Sequence, residues 1–247
     1  MFDGEFESLK AIQATNTIRV PKPLLVVDNP KGGAALVMEY LEFRSIGRKA
    51  NLLGDQIARL HMHNIEQKEK DKSSEQYVGA PENTDPPRYV SKFGFHSVTC
   101  CGYIPQSNDW CDDWPYGDRE AVSLWSTLSA KLPDFFKGMN IEPSLLHGDL
   151  WSGNIGETSN EPVIFDPASF YGHHEYELAI AGMFGGFGRS FWEAYHNVIP
   201  KTEGWDRRHK LYVLFHNLNH WTSYIKFGHA FTKRTIMYKY EIYQSNL

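Results

Sequence analysis

The sequence predicts an α+β fold with a short mixed beginning and a longer, mostly helical remainder. Three observations predict it. A helical periodicity at the start gives way to two short apolar runs around Asn29-Pro30-Lys31-Gly32-Gly33, which reads as a helix and then a hairpin. Further on, the long apolar periodicities are helical. The strand signal there, Pro162-Val163-Ile164-Phe165, is only four residues long and is closed by Asp166.

Taken in order, Phe2 to Ala14 is expected to be a helix, with Phe2, Phe6, Leu9, Ala11 and Ile12 near one face. Pro21 and Pro23 stop it and begin an extended run. Leu24 to Val27 and Ala34 to Met38 are the two hairpin strands. Asn51 to Asn64 is an amphipathic helix carrying Leu52, Leu53, Ile57, Leu60 and His61 on one side. Residues 66–85 are rich in charge and Ser and read as a solvated loop. Tyr89 to Ile104 is aromatic and punctuated by glycine, and is expected to pack under the main cleft. Asp118 to Leu132 is a further helix. Tyr176 begins another, with a glycine-rich end at Gly186, and Arg208 to Tyr224 is a long aromatic one.

At 247 residues the chain is long enough for a sizeable core. It is 41% apolar and 22% charged, an ordinary globular balance. Seven Trp favour a packed interior with some stacking surface. A net charge of −5 and a pI near 6.1 argue against a nucleic-acid partner, which would ask for a basic face. Three Cys, at 100, 101 and 111, form an odd set that suits a reduced, cytoplasmic setting. Cys100 and Cys101 are either redox-active or small buried hydrophobes. The start has no charged-then-apolar pattern, and no run of about 18 apolar residues occurs, so neither a leader nor a membrane span is expected. His61-Met62-His63 and His173-His174 lack zinc-ligand spacing.

The chemistry sits in His147-Gly148-Asp149-Leu150-Trp151-Ser152-Gly153-Asn154. This has the spacing H-x-D-L-x-x-x-N, in which the Asp accepts a substrate hydroxyl proton and the Asn holds a divalent cation. Asp166, closing the apolar run after Ile164, stands where a second metal carboxylate belongs. Phosphoryl transfer needs positioning and charge neutralisation more than covalent chemistry. Mg²⁺ prefers oxygen ligands, which Asn154 and Asp166 supply.

At these residues the chain resembles the fructosamine-3-kinase and ketosamine-3-kinase family, a branch of the aminoglycoside-phosphotransferase type of the protein-kinase-like fold. The likeness is carried by Val37-Met38-Glu39-Tyr40, by Phe93-Gly94-Phe95-His96 with Thr99-Cys100-Cys101-Gly102, by His147 to Asn154, and by Ile164 to His173. Glu175 to Ala179 and Asn219-His220-Trp221 extend it. The resemblance implies a partial N-terminal lobe over residues 1–41 and a catalytic lobe over residues 42–247. It implies ATP and Mg²⁺, and transfer of phosphate to the sugar 3-hydroxyl of ketosamines, on glycated proteins or small amines. The phosphorylated adduct then leaves, which restores the amine.

Residue by residue, the resemblance makes Asp149 the base and Asn154 and Asp166 the metal ligands. Backbone groups around Met38, Glu39, Tyr40 and Leu41 would hold adenine. Glu5 takes the place of the helix-C Glu, or simply faces solvent. Trp151 and Trp221 either stack on substrate or pack. His147 and Glu177 support the loop, with Glu177 bracing it. The chain departs from the family in three places. Its first residue falls at helix C, so the Gly-rich loop and its Lys are not in it; Trp114-Pro115 meets Tyr116-Gly117-Asp118 without the usual helix; and the tail after Thr222 follows the pattern loosely. These departures suit an isoform or an incomplete gene model of a normal enzyme, and a catalytically impaired isoform or fragment acting as a non-catalytic binding module is one alternative. An aminoglycoside- or choline-type kinase is another. The sequence does not fix the oligomeric state.

Overall fold

The computed structural model describes residues 1–75, 89–102, 104–114 and 132–225. It opens with helix α1 (Phe2–Thr15), which buries Gly4, Ser8, Leu9 and Ile12. The buried stripe runs through small residues because the helix lies tight on its neighbour: a Cβ on Gly4 would sit 2.2 Å from the Val98 carbonyl oxygen. Phe2 and Phe6 are consequently only half-buried. Asn16 ends the helix in the left-handed region at φ 53°, which Asn tolerates better than most residues.

Strands β1 (Pro23–Asp28) and β2 (Ala34–Met38) pair antiparallel, with Val26 opposite Leu36. The turn closes through the Asn29 N–H donating to the Gly33 carbonyl at 2.9 Å. Leu24, Leu25, Val27 and Val37 on this hairpin are exposed.

Helix α2 (Ala50–Glu75) is 26 residues long. The solvated loop expected from residue 66 is therefore a helix as far as Glu75, and residues 76–85 lie outside the described residues. The reason is compositional: Glu, Gln and Lys are strong helix formers, and their charges meet at helical spacing. Lys72 pairs with Glu69 at 2.9 Å, and Lys68 reaches Glu142. On the inner face Leu53, Ile57, Leu60 and His61 are buried, whereas Leu52 is exposed.

Strands β3 (Cys100–Cys101) and β4 (Ile104–Pro105) make a minimal hairpin after the buried Phe93 and Phe95. Short helix α3 (Leu132–Phe136) follows. The helix expected over Asp118 to Leu132 falls on residues outside the described set up to 131. Strand β5 (Ser144–Leu146) pairs antiparallel with β8 (Phe170–Gly172), and β6 (Ile155–Glu157) with β7 (Pro162–Ile164). Helices α4 (His174–Met183), α5 (Arg189–Val198) and α6 (Trp205–Ile225) complete the fold. Among the described residues no helix is long and apolar enough to cross a membrane.

One core joins these pieces: Leu9 and Ile12, Leu53, Ile57 and Leu60, Leu145 and Leu146, Leu150, Ile164, Leu178, Phe191 and Tyr195 are essentially inaccessible. Each such side chain stabilises the fold by about 1.5–3 kcal/mol through burial. Helix α2 packs directly on α5, where a Cβ on Gly54 would come within 2.2 Å of the Phe191 carbonyl oxygen. The N-terminal segment is tied to the β6–β7 hairpin twice. Arg19 bridges Val163 in parallel, and its carbonyl accepts the Ile164 N–H at 3.1 Å. Arg44 exchanges backbone hydrogen bonds with Glu157, whose carboxylate also accepts the Gly47 and Lys49 N–H groups at 3.0 Å each. That carboxylate satisfies donors just ahead of α2, where helical partners are lacking.

Candidate active site

The octapeptide 147–154 links β5 to β6 and turns sharply at its second residue. Gly148 has φ +85°, and a Cβ there would lie 2.0 Å from the Ala168 carbonyl oxygen, so no other residue fits without movement. Glu177, from the first turns of α4, fixes the loop from below. Its Oε1 accepts the Gly148 N–H at 2.6 Å, and its Oε2 accepts the His147 N–H at 2.9 Å. Oε2 also lies 2.9 Å from His61 Nε2, while His61 Nδ1 lies 2.8 Å from the Tyr195 hydroxyl. Glu177 and His61 are both fully buried. Burial pushes the Glu177 carboxyl up, but the His61 hydrogen bond and the neighbouring imidazoles and N–H outweigh it and hold it below its ordinary value.

His147 is the next support. Its Nε2 lies 2.9 Å from the Phe165 carbonyl, which only accepts, so that nitrogen carries the proton. Nδ1 is then free to accept the Asp149 N–H at 3.3 Å. Burial pushes this imidazole's pKa down, which keeps it neutral. The Ala168 N–H returns to the His147 carbonyl at 2.9 Å, so the segments before Asp149 and after Asp166 are stitched together.

Asn154 gathers the two aspartates. Its Nδ2 donates to the Asp149 carbonyl at 2.9 Å and to Asp149 Oδ2 at 3.2 Å, and it lies 3.5 Å from the Asp166 carbonyl. With Nδ2 so used, Oδ1 is left as a hard oxygen donor. Asp166 itself is exposed and sits at φ +57°, an uncommon conformation for a residue with a side chain. Burial and the Asp166 charge push the Asp149 carboxyl up to about 7. Burial, then the Asp149 and Asp166 charges, push the Cys101 thiol up to about 12, so it stays protonated and unreactive at neutral pH.

Glu5 faces the same space. Met1, Phe2, Glu5, Cys100, Gly102, Asp166 and Pro167 line a cleft of about 250 Å³. Burial, and then Asp166, push the Glu5 carboxyl up to about 7. Three carboxylates therefore crowd one region, and among the described residues none of them has a salt-bridge partner. Such a set of hard oxygens with unbalanced negative charge fits a divalent cation of the Mg²⁺ kind. Helix α1 is anchored here by Ser8, whose Oγ donates to the Gly4 carbonyl at 2.7 Å and accepts the Ser169 N–H at 3.0 Å. Ser8→Ala would orphan that buried N–H. We expect it to cost about 1–3 kcal/mol, read as a lower urea midpoint with an unchanged slope.

The remaining expected residues are scattered. Met38 ends β2, Glu39, Tyr40 and Leu41 follow it, and none of the four lines that cleft; Tyr40 is 87% exposed. Trp151 is 37% exposed, packs over Gly153, and meets the Phe184 ring edge-on at 5.8 Å. Trp221 lies on α6, and its side chain is outside the described residues. Ser8, His61, Arg19, Glu157 and Tyr195 were not anticipated. Their roles depend on partners 20 to 161 residues away, which no local motif signals.

Comparison with known proteins bears on the family and the fold. The fructosamine kinase family model matches residues 1–117 and 117–240, two segments that meet beside the Trp114-Pro115 junction. The Mus musculus protein named ketosamine-3-kinase is 51% identical over 242 residues, which are 91% of this chain and 78% of that protein. A Haemophilus somnus 129PT structure, provisionally described as a fructosamine-3-kinase, superposes with a TM-score of 0.75 at 24% identity, covering 98% of this chain and 79% of that one. In fold alone, the likeness extends to aminoglycoside 2'-phosphotransferase-IIIa, with a TM-score of 0.54 at 11% identity over 99% and 83% of the two chains. The fold is thus of the protein-kinase-like, aminoglycoside-phosphotransferase type, and the chain belongs to the fructosamine kinase family.

Proposed function

We propose that this chain transfers the γ-phosphoryl group of ATP to the 3-hydroxyl of a ketosamine sugar, carried on a glycated protein or a small amine. The observation that carries the reading is the Asp149–Asn154–Asp166 constellation, held by Glu177 from beneath. Asp149 takes the proton of the sugar hydroxyl as that oxygen bonds to the γ-phosphorus and the bond to the β-phosphate oxygen breaks. Asn154 keeps the Asp149 carboxylate aimed through its Nδ2. A divalent cation, when bound, would rest on Asn154 Oδ1 and the Asp166 carboxylate and offset the charge of the phosphates. The exposed face of Trp151 offers a stacking surface beside the base. The segment Met38 to Leu41 would supply backbone groups for adenine, with the lobe boundary proposed near residue 41. The name of the mouse relative supports the choice of acceptor.

The test is incubation with ATP, Mg²⁺ and either fructosyl- or ribulosyl-lysine, followed by ³¹P NMR. A new sugar-phosphate resonance at the 3-position is expected, with the ribose- and hexose-derived acceptors ranked by kcat/KM. Absence of transfer to both acceptors, under conditions where nucleotide binds, favours a second reading. That reading, a binding module without turnover, draws on the absence of a Lys or Arg among the described residues lining the cleft.

A further inference from the structure

We propose that Arg19 is a positioning residue that sets the hinge segment against the phosphotransfer hairpin; the proposal rests on the nucleotide-site reading above. Arg19 lies in the extended stretch between α1 and β1, and its side chain reaches three ways. Nη2 donates to Glu39 Oε1 at 2.5 Å, Nη1 donates to the Val20 carbonyl at 2.6 Å, and Nε lies 3.7 Å from Glu161 Oε1. Its main chain is bound as well, through the Val163 bridge and the Ile164 N–H. Glu39 is held from its other side: Oε2 accepts the Lys22 N–H at 3.1 Å, and the Glu39 N–H donates to the Lys22 carbonyl at 2.8 Å.

One guanidinium thus joins the residue directly after β2 to Glu161 at the tip of the β6–β7 hairpin. The same hairpin runs from Asn154 through Ile164 to Asp166, so its position relative to residue 39 fixes the distance between an adenine-holding backbone and the metal-holding side chains. The Arg19 side chain is 27% exposed and that of Glu39 35% exposed. Pairs so placed contribute little to global stability because water screens them. The hydrogen bonds to Glu39 and the Val20 carbonyl nonetheless fix the guanidinium's orientation, with Glu161 drawn to it by charge, and a planar fork does this where a flexible ammonium does not. A plain surface ion pair would bring two side chains together; Arg19 joins its own extended stretch, the residue after β2 and the β6–β7 hairpin.

The experiment is calorimetric titration of Mg·ADP into the full chain. It compares wild type with Arg19→Met, Arg19→Lys, Glu39→Ala and the Arg19→Met/Glu39→Ala double variant, with thermal melts alongside. Each of the Met and Ala singles is expected to weaken ADP by about fivefold, with the double no weaker than either single, which is the signature of coupled residues. Arg19→Lys should recover part of the loss, and melting temperatures should move little. Unchanged ADP affinity in Arg19→Met, or losses that add in the double variant, would overturn the proposal. Should Arg19→Met fail to fold, wild-type affinity in both Arg19→Lys and Glu39→Ala overturns it equally. A folded wild-type chain that binds no ADP overturns the nucleotide-site reading together with this one.

Discussion

Asp149→Ala is expected to lower kcat by about 10²–10⁴ while leaving the KM for the acceptor within a few-fold, as measured by initial rates with saturating ATP. The side chain is a small part of the binding surface; of the two aspartates gathered by Asn154 it is the one whose carboxylate Asn154 holds, while Asp166 is assigned to the cation. The same variant should be no less stable than wild type. The Asp149 carboxyl sits at about 7 in the folded chain, against an ordinary 3.8, because burial and Asp166 disfavour its charge. The folded state therefore holds a proton that the unfolded state releases as the pH climbs from about 4 to about 7. Where the folded state binds more protons, stability declines with rising pH, and it levels off above the folded value. Glu5, also pushed up to about 7, adds a slope of the same sign. Asp149→Asn should therefore flatten part of this decline, keep the Glu5 share, and melt higher than wild type at pH 8. A variant that melts lower at pH 8 and keeps full turnover would remove Asp149 from the role of base.

Glu177→Ala is the second large effect. It deletes three hydrogen bonds at once and leaves the His147 and Gly148 N–H groups and His61 buried without their acceptor. Breaking a buried, hydrogen-bonded charge in this way costs about 3–5 kcal/mol. In a domain of this size that corresponds to a melting point lower by roughly 10 °C. Turnover should fall as well, because the freed loop no longer presents Asp149 in one place. Glu177→Gln keeps the shape but offers one acceptor oxygen and turns an NH₂ toward groups that also donate, so it should rescue little. The pH dependence runs opposite to that of Asp149. Glu177 is held below its ordinary value, so its stabilisation is present above about 4.5 and is lost as acid protonates the folded carboxylate. If Glu177→Ala melts with the wild type, the bracing geometry described for α4 is wrong.

Much of this fold was legible in the sequence where periodicity was long. Helix α1, the β1–β2 hairpin and the long C-terminal helix fall within a few residues of their expected positions. The three-residue strands β5, β6 and β8 were not visible. Ser144-Leu145-Leu146 is buried at every position, so it shows no alternation, and three residues are too few for a period. Helix α5 was not anticipated, although Phe191, Tyr195 and Val198 recur along it at helical spacing. The stretch from residue 66 was mistaken for a loop because charge was weighed above helix propensity. The candidate site residues within the octapeptide and Asp166 are proposed from motif spacing. Their environment could not be read that way: the crowding of Glu5 against Asp166 and the reach of Ser8 to Ser169 are products of tertiary packing. The backbone recognition proposed around Tyr40 would leave no side-chain signature at all.

The Tyr195 hydroxyl, on a helix remote in sequence from the loop, is the outermost link of the chain that runs through His61 to Glu177. In a random-mutagenesis library scored by product formed, Tyr195→Phe clones would therefore collect among the failures and look like losses of chemistry. Sorting clones by thermal denaturation before the assay would separate them from true lesions of the phosphotransfer groups, and would redraw the apparent footprint of the site as a column through the interior.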